Sequence, residues 1–360
     1  MGKAPPQSII VVGAGIVGAS LAYHLASKGA SVLVVEAEDI ACGASGRSFG
    51  WINTSYVGND PIAALRGAAI QAYRHLQAQV PGLHVRWTGA LCYHAPPDDG
   101  AQPVAPASAQ RLVDRMEIHA LEPRLRHPPQ QALYAPEQGA LDAVAATRTL
   151  IAAAQAHGAR LMTRTPVLRL LAEGTQVTGV ATDSATLKAD LVVLAAGTGI
   201  PALAEPLGVA LPIGASPALF MRYSAQPQRV NTIISSPTVE VRQQADGTLL
   251  AAEDYVDDSV ENQPAAVASR TARAIHAALE GVELPETQWA CVGLRPMPVD
   301  RIPIIGHLPQ ATGIYVCTMH PGVTLAAIAG RLASDEIIDG QPSPALEPCR
   351  PARFFAKHST

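Results

Sequence analysis

The chain has 360 residues, of which 48% are hydrophobic and 16% charged, so it can bury a sizeable core in one large or two intertwined domains. Its 26 Lys and Arg residues against 30 Asp and Glu residues give a net charge of −4, which argues against a nucleic-acid-binding protein, because such proteins present a basic face. Five cysteines, an odd number without a Cys-x-x-Cys pair, disfavour a disulfide scaffold or zinc cluster and fit a reducing cytoplasm.

The N-terminal segment predicts a strand, a helix and a second strand. Residues 8–12 form a short apolar, β-branched run, which is typical of a buried strand. Val17, Leu21 and Leu25 recur every four positions and so share one helix face, and Gly29 is placed to end that helix. Residues 31–36 predict another buried strand. This order predicts parallel strands with a right-handed crossover.

The same segment has some features of a secretory signal, because Lys3 precedes an apolar run. Three glycines interrupt that run, and His24 and Lys28 follow it, whereas a secretory signal has a continuous apolar region. We therefore favour a structural role. We expect no membrane span, because no apolar run reaches about 18 residues.

The rest of the chain alternates helical and strand-rich blocks. Residues 95–106 predict a loop, Asp142 is placed to cap a helix over residues 143–157, and residues 245–248 predict a hairpin turn. Other predicted strands cover residues 160–163, 167–171, 177–182, 191–195, 239–242, 249–252 and 314–318, other predicted helices cover residues 270–279 and 326–338, and residues 341–351 predict an irregular tail.

This order predicts an α/β + β fold, in which an antiparallel-sheet domain is inserted into a Rossmann-like nucleotide domain. We expect the nucleotide domain to be discontinuous and the inserted substrate domain to consist of two segments. The expected ranges are 1–80, 139–212 and 290–360 for the nucleotide domain, and 81–138 and 213–289 for the substrate domain.

The strongest local signal is the motif GAGIVG at residues 13–18. It follows a predicted strand and opens a predicted helix, and Glu36 stands 18 residues (36 − 18) after Gly18, as a dinucleotide fingerprint requires. Gly13 permits a tight turn, Gly15 lets the backbone approach a pyrophosphate, and the helix N-terminus offers N–H groups to phosphates. Glu36 can accept a hydrogen bond from a ribose hydroxyl. The alternative is a glycine-rich turn without a ligand.

Three later regions favour FAD over NAD as the cofactor, because they resemble segments of a known family. They are ASGRSFG (44–50), LVVLAAG (191–197), and the group GLRPMPVD (293–300), IG (305–306) and MHPGVTL (319–325). Together they resemble the FAD-dependent amino-acid oxidase family, which includes glycine oxidase, sarcosine oxidase and D-amino-acid oxidase. The resemblance covers nearly the whole chain and is vague between about residues 55 and 140 and between 215 and 285. It implies an FAD-binding domain whose flavin faces the inserted sheet, and oxidation of the C–N bond of an amino or imino acid by hydride transfer from Cα to flavin N5.

The resemblance also implies which residues hold FAD. The glycine-rich turn would hold the pyrophosphate, Glu36 the ribose, Val167 the adenine, and the backbone of residues 322–325 the flavin. Arg47 would offset diphosphate charge, with an ordinary surface arginine as the alternative. Gly293 stands where some members carry a cysteine that attaches FAD, so we expect noncovalent FAD. The implied cofactor residues are Gly13, Gly15, Ile16, Val17, Gly18, Glu36, Ala37, Ser45, Arg47, Ser48, Val167, Ala196, Gly197, Gly322, Val323, Thr324 and Leu325.

Five residues are candidates for the substrate pocket. Arg295 resembles the arginine that binds the substrate carboxylate in glycine oxidase, with a structural salt bridge as the alternative. Tyr255 lines the pocket in this alignment or lies at its rim. Glu240 and Arg242 share one strand face, which either looks at the flavin and recognises a polar substrate group or looks at water as an exposed pair. His320 either contacts substrate or is a structural histidine.

Several alternatives stay open at this point. Oxidation of a 2-hydroxy acid, a flavoprotein subunit of a heteromeric dehydrogenase and a nicotinamide-dependent dehydrogenase all use related scaffolds. A homo-oligomer or a partner subunit is possible, and the partner of the site itself is expected to be a small amino or imino acid. Glu253 and Asp254 are expected in water near a hairpin end, and the histidines show no ligand-type pairing, so no metal is expected.

Overall fold

The computed structural model describes residues 7–54, 60–93 and 110–355, so the predicted loop over residues 95–106 lies outside the described residues. The helices in these ranges are α1 (Ile16–Ser27), α2 (Ala63–Gln79), α3 (Arg115–Leu121), α4 (Ala143–Ala156), α5 (Ile200–Ala204), α6 (Pro264–Ala278) and α7 (Gly322–Asp339). The strands are β1 (Ser8–Val12), β2 (Ser31–Val35), β3 (Trp51–Ile52), β4 (Val85–Arg86), β5 (Ala90–Cys92), β6 (Arg111–Asp114), β7 (Gln131–Ala135), β8 (Gly139–Leu141), β9 (Arg160–Met162), β10 (Arg169–Glu173), β11 (Gln176–Ala181), β12 (Thr186–Lys188), β13 (Leu191–Leu194), β14 (Ile213–Ala225), β15 (Ile233–Ser235), β16 (Glu240–Gln243), β17 (Thr248–Asp254), β18 (Thr287–Pro298), β19 (Ile304–His307) and β20 (Ile314–Thr318).

A six-stranded sheet forms the first layer, in the order β19-β20-β13-β1-β2-β9. The strands run parallel except for the edge strand β19. Val11 at its centre pairs with Val193 on one side and Val34 on the other, as expected for apolar strands that are covered on both faces. The predicted parallel strand–helix–strand unit at the N-terminus is therefore confirmed.

Helices α1 and α7 cross closely on one face of this sheet. The Ser20 hydroxyl donates to the Ala326 carbonyl at 2.8 Å, and a Cβ on Gly330 would lie 2.3 Å from the Ser20 oxygen, so glycine allows the two helices to touch. Helix α1 follows β1, and α7 follows β20. Because those strands are parallel, both helices begin at the carboxyl edge of the sheet, where open α/β sheets bind ligands.

An eight-stranded sheet forms the second layer, in the order β18-β14-β17-β16-β15-β5-β7-β6. The predicted hairpin is confirmed as β16 and β17. The sheet is antiparallel except where β5 pairs with β15, and these two strands come from distant segments that no tight turn joins. Helix α6 covers one face, packing against a buried cluster that includes Met221 and Val241. The predicted domain boundary at residues 289 and 290 falls inside β18.

Two smaller sheets, β10-β11-β12 and β3-β8-β4, complete the described chain. Asp142 caps α4 as predicted, because its carboxylate accepts the Ala145 N–H at 2.9 Å. Two helices are longer than predicted: α6 begins at Pro264, which fits a first helical turn, and α7 begins at Gly322. In the residues that the structure describes, no helix is long and apolar enough to cross a membrane.

Candidate active site

The glycine-rich turn between β1 and α1 is sterically closed to side chains. Gly13 has φ of +106°, and a Cβ there would lie 2.6 Å from the Ala195 carbonyl oxygen. A Cβ on Gly18 would lie 2.0 Å from the Gly13 oxygen. The N-cap residue of α1 is Gly15, which has no side chain to cap the helix, while the Ser45 hydroxyl accepts the Ile16 N–H at 2.9 Å. The helix thus begins with its backbone at the surface of the turn.

Glu36 lies directly beside this turn, at the end of β2. Its carboxylate accepts the Ala14 N–H at 2.6 Å and the Glu38 N–H at 3.0 Å. The Glu36 carbonyl accepts the Thr165 N–H at 2.9 Å, which draws the segment leading to Val167 alongside it. The structure therefore gathers the predicted ribose and adenine residues at one place.

The turn at residues 44–48 connects the glycine-rich loop to the second sheet. The Arg47 guanidinium donates to the carbonyls of Cys42 and Gly43. A Cβ on Gly293 would lie 3.0 Å from both Cβ and O of Arg47, so this turn packs directly on β18. The predicted contact of Arg47 with a diphosphate stays a prediction, since its guanidinium is turned to these backbone carbonyls. The Ser48 hydroxyl accepts the Gly50 N–H at 3.1 Å.

The start of α7 lies next to the start of α1. A Cβ on Gly322 would lie 3.8 Å from a methyl carbon of Val17. The N-cap residue is Pro321, whose side chain cannot accept a hydrogen bond. The Thr324 hydroxyl, fully buried, donates to the Trp51 carbonyl at 3.2 Å and accepts the Asn53 N–H at 3.1 Å, so only the backbone of Thr324 can serve a ligand.

One face of the eight-stranded sheet turns toward these segments. Side chains alternate along each strand, so the pairing register places Arg295 of β18, Asp254 of β17 and Glu240 of β16 on the same face. The apolar part of that face packs on Phe49 and includes Phe220, Ile233 and Leu250. The opposite face is the one under α6. The sheet thus presents two acidic side chains and one basic side chain to the carboxyl edge of the first layer.

Arg295 is held by its own strand neighbour without a close acidic partner. Its Nη2 donates to the Ser216 hydroxyl at 3.0 Å and to the Pro217 carbonyl at 3.1 Å. The Asp254 carboxylate is 3.8 Å away and its side chain is 91% exposed, so this ion pair contributes little. The Arg295 side chain is 30% exposed. Its guanidinium is therefore positioned and still open to a carboxylate ligand.

His320 lies immediately before Pro321 at the start of α7. Burial, together with the positive charges of Arg295 and Arg66, lowers the pKa of His320 to about 4 against an opposing effect of Asp254. The imidazole is therefore neutral at pH 7. Arg66 of α2 is itself fixed by Asp60 at 2.7 Å. Neither Arg66 nor Asp60 was expected, because they lie in the region where the sequence carries no recognisable motif.

The role expected for Arg242 is wrong. Its side chain is only 4% exposed, so it is not one of an exposed pair with Glu240. Its Nε donates to the Phe49 carbonyl at 2.7 Å, and its Nη2 donates to the Leu141 carbonyl at 2.9 Å. The guanidinium also lies over the Phe49 ring, 5.4 Å from its centroid. Burial lowers the pKa of Arg242 to about 10. Arg242 joins the two layers and is not free to recognise a substrate.

Tyr255 and Glu253 also lie elsewhere than expected. The Tyr255 ring packs against the buried cluster under α6, and its hydroxyl donates to Asp258. Tyr255 therefore contacts the cluster under α6 and Asp258, and not Arg295. The Glu253 carboxylate accepts a hydrogen bond from Thr271 of α6, so it is half-buried on the far face and not simply in water. Asp254, by contrast, is exposed as expected.

Comparison with known proteins identifies the family. The model of the DAO family, described as FAD dependent oxidoreductase, matches residues 8–336. The chain belongs to this family.

Two relatives of this FAD-dependent oxidoreductase show how far the likeness extends. Glycine oxidase of Pseudomonas aeruginosa is 28% identical over 368 residues, which cover 96% of this chain and 99% of that protein. D-amino acid dehydrogenase of Paramagnetospirillum magneticum is 32% identical over 229 residues, which cover 59% of this chain. The matched region spans only 51% of the length of that dehydrogenase.

Two solved structures of other proteins share the fold. L-amino acid deaminase from Proteus vulgaris, with its specific insertion sequence deleted, superposes with a TM-score of 0.84 at 20% identity, covering 97% of this chain and 95% of that one. L-proline dehydrogenase from P. horikoshii gives 0.82 at 20% identity, covering 97% and 98%. The predicted fold, a Rossmann-like domain with a second sheet domain, is confirmed.

The residues present fit the FAD that the family binds. The glycine-rich turn is too closely packed for a Cβ at Gly13 or Gly18, and the N-cap residues of α1 and α7, Gly15 and Pro321, do not cap their helices with their own side chains. Such N-termini bind anionic groups through free N–H groups and the helix dipole. Glu36 lies at the ribose end, and Gly197, with φ of +55°, follows the central strand. Among the described residues, no group of three or more His, Cys, Asp or Glu could hold a metal ion.

Proposed function

We propose that this flavoenzyme oxidises the C–N bond of an amino or imino acid whose carboxylate binds Arg295, with FAD bound noncovalently. One observation carries the proposal. The Arg295 guanidinium is anchored by Ser216, has only an exposed acid at 3.8 Å, and acts electrostatically on His320 at the uncapped start of α7. A carboxylate on Arg295 therefore holds the neighbouring Cα close to the place where the flavin is expected.

Each side chain then has a defined task. Arg295 binds the carboxylate through its guanidinium, whose Nη1 is the nitrogen that does not donate to Ser216 or Pro217, and so fixes the direction of the Cα–H bond. The bound FAD supplies the hydride acceptor. The N–H groups at the start of α7, Gly322 to Thr324, stabilise negative charge that develops beside them, whereas the Leu325 N–H donates to the Pro321 carbonyl at 3.2 Å. The same burial that keeps His320 neutral favours the uncharged form of the substrate amine, whose lone pair supports loss of hydride.

The relatives support an amino-acid substrate. Glycine oxidase aligns over nearly its whole length, and the names of the matched glycine oxidase and D-amino acid dehydrogenase both denote amino-acid substrates. No observation on this chain favours a 2-hydroxy acid or a heteromeric complex. We also propose a cytoplasmic location, because all five cysteines are free thiols, as a reducing compartment maintains them.

Anaerobic flavin reduction tests the proposed function. The purified yellow protein is mixed with separate pools of D-amino acids, L-amino acids, N-alkyl glycines, cyclic imino acids and 2-hydroxy acids, and the flavin band is followed. We expect one amine pool to bleach the flavin. Admission of air then distinguishes an oxidase from a dehydrogenase. Bleaching by the hydroxy-acid pool alone, or by no pool although FAD is bound, contradicts the proposal.

A further inference from the structure

Glu240 is a partly buried acid on the site-facing side of the sheet, and the proposed reaction does not use it. It lies on β16, opposite Ala252 of β17, and is half-buried. Its carboxylate has a single weak hydrogen bond, from the Ser235 hydroxyl at 3.5 Å. Among the residues that the structure describes, no arginine, lysine or histidine forms an ion pair with it. The charged group that acts on it electrostatically is another acid, Asp254.

The cation closest in sequence to Glu240 is turned away from it. Arg242 lies on the same face of β16, two residues further along, but both of its hydrogen-bonding nitrogens donate to the carbonyls of Phe49 and Leu141. Burial of Glu240, with the negative charge of Asp254, raises its pKa to about 7. An ionised carboxylate that is partly buried without a partner is costly, and a cation that reaches it removes that cost.

The strand register relates the position of Glu240 to the proposed carboxylate site. Asp254 follows Ala252 by two residues, so Asp254 and Glu240 are diagonal neighbours on adjacent strands, about 7–8 Å apart. The Asp254 carboxylate is in turn 3.8 Å from the Arg295 guanidinium. Arg295, Asp254 and Glu240 thus follow one another diagonally across one face of the sheet, with positive charge at the Arg295 end and negative charge at the Glu240 end.

We infer that Glu240 is a specificity residue that binds a positively charged group at the far end of the substrate side chain, so that the preferred substrates are basic amino acids. This inference rests on the proposed function, in which Arg295 binds the α-carboxylate. A lysine-, ornithine- or arginine-like side chain then runs across the sheet from Arg295 to Glu240. Asp254, exposed between them, adds to the negative potential along that path.

A pair of ligands without an α-amine isolates this interaction. Hexanoate and 6-aminohexanoate share the carboxylate and the chain length and differ in the terminal ammonium group. We expect calorimetric titration of the oxidised, FAD-loaded wild-type protein to give a dissociation constant at least tenfold lower for 6-aminohexanoate. Equal binding, or tighter binding of hexanoate, overturns the inference without any variant.

Variants then assign the effect to Glu240. The ratio of the two dissociation constants should fall to about one in Glu240→Gln and persist in Glu253→Gln, whose acid lies on the opposite face under α6. A ratio that persists in Glu240→Gln overturns the inference, because the cation then binds elsewhere.

Flavin bleaching separates this inference from the proposed function. Lysine, ornithine and arginine are compared with norleucine and citrulline, each as both enantiomers. We expect half-maximal bleaching rates at lower concentrations of the basic members. Bleaching by amino acids without that preference overturns only the role of Glu240. No bleaching by any amino acid or imino acid overturns the proposed function and the inference with it.

Discussion

The Nε of Arg242 lies 2.7 Å from the carbonyl oxygen of Phe49, and this hydrogen bond joins the second sheet to the segment that follows the turn at residues 44–48. The same guanidinium donates to the Leu141 carbonyl at 2.9 Å. Arg242 therefore holds in place the two layers between which the site forms. The Arg242 guanidinium therefore has a structural role, although Arg242 lies on the strand face that carries Glu240.

Removal of this side chain should destabilise the protein more than it alters substrate binding. Arg242→Ala leaves two buried carbonyls without donors and removes the contact with the Phe49 ring, so we expect a loss of about 3 kcal/mol in the free energy of unfolding. Urea denaturation followed by circular dichroism measures this loss. Arg222→Ala, on strand β14 of the same sheet and partly exposed, should cost less than about 1 kcal/mol. Similar losses in both variants would contradict this account.

The glycine-rich turn should tolerate no side chain at Gly18. A Cβ there would lie 2.0 Å from a backbone oxygen, which cannot move without opening the turn. We expect Gly18→Ala to be purified with less than about a tenth of the wild-type flavin content, read from the visible absorbance against protein absorbance. Gly67→Ala in α2, where nothing lies within 4 Å of the added Cβ, is the matched control and should keep its flavin. Full flavin in Gly18→Ala would remove this turn from the cofactor site.

The N-terminal unit and the cofactor segments could be predicted from sequence because their signals are local. Apolar periodicity gives β1, α1 and β2, and the motif that begins at Gly13 needs only the strand before it and the helix after it. The direction of the Arg242 side chain depends instead on two carbonyls about 100 and 190 residues away in the chain. No local pattern carries that information.

The same reasoning explains the other misses. Tyr255 comes directly after β17, and one residue decides whether a side chain faces the site or α6. Arg66 reaches the site from α2, a helix without a recognisable motif, so its relation to His320 emerges only when the layers are assembled. Sequence thus predicts the strand–helix–strand unit and its glycine-rich turn better than it predicts the directions of side chains on the second sheet.

Loss of the Arg295 guanidinium should weaken the binding of carboxylate substrates. Arg295→Ala removes the proposed partner of the substrate carboxylate. We expect a fall in kcat/KM that corresponds to roughly 2–5 kcal/mol of transition-state stabilisation, mostly through a higher KM. The low end is expected, because the side chain is 30% exposed and screened by solvent. Arg295→Lys should recover part of the loss, since it restores charge without the planar fork. Arg222→Ala serves as the control for removal of an arginine from this sheet. An unchanged KM in Arg295→Ala would exclude this residue from the site.

His24 should make the fold sensitive to acid, far from the site. It is 8% exposed, its Nε2 has no hydrogen-bond partner, and burial together with Arg331 lowers its pKa to about 4. Because the unfolded chain takes up the proton near pH 6.5, the stability that His24 contributes is present above that pH and is lost as pH falls toward 4, by up to ~3 kcal/mol. Unfolding free energies measured between pH 4 and 7 should therefore decrease less steeply in His24→Phe, whereas His119→Gln, at an exposed position of α3, should retain the wild-type slope. Equal slopes in wild type and His24→Phe would show that another group governs the acid response.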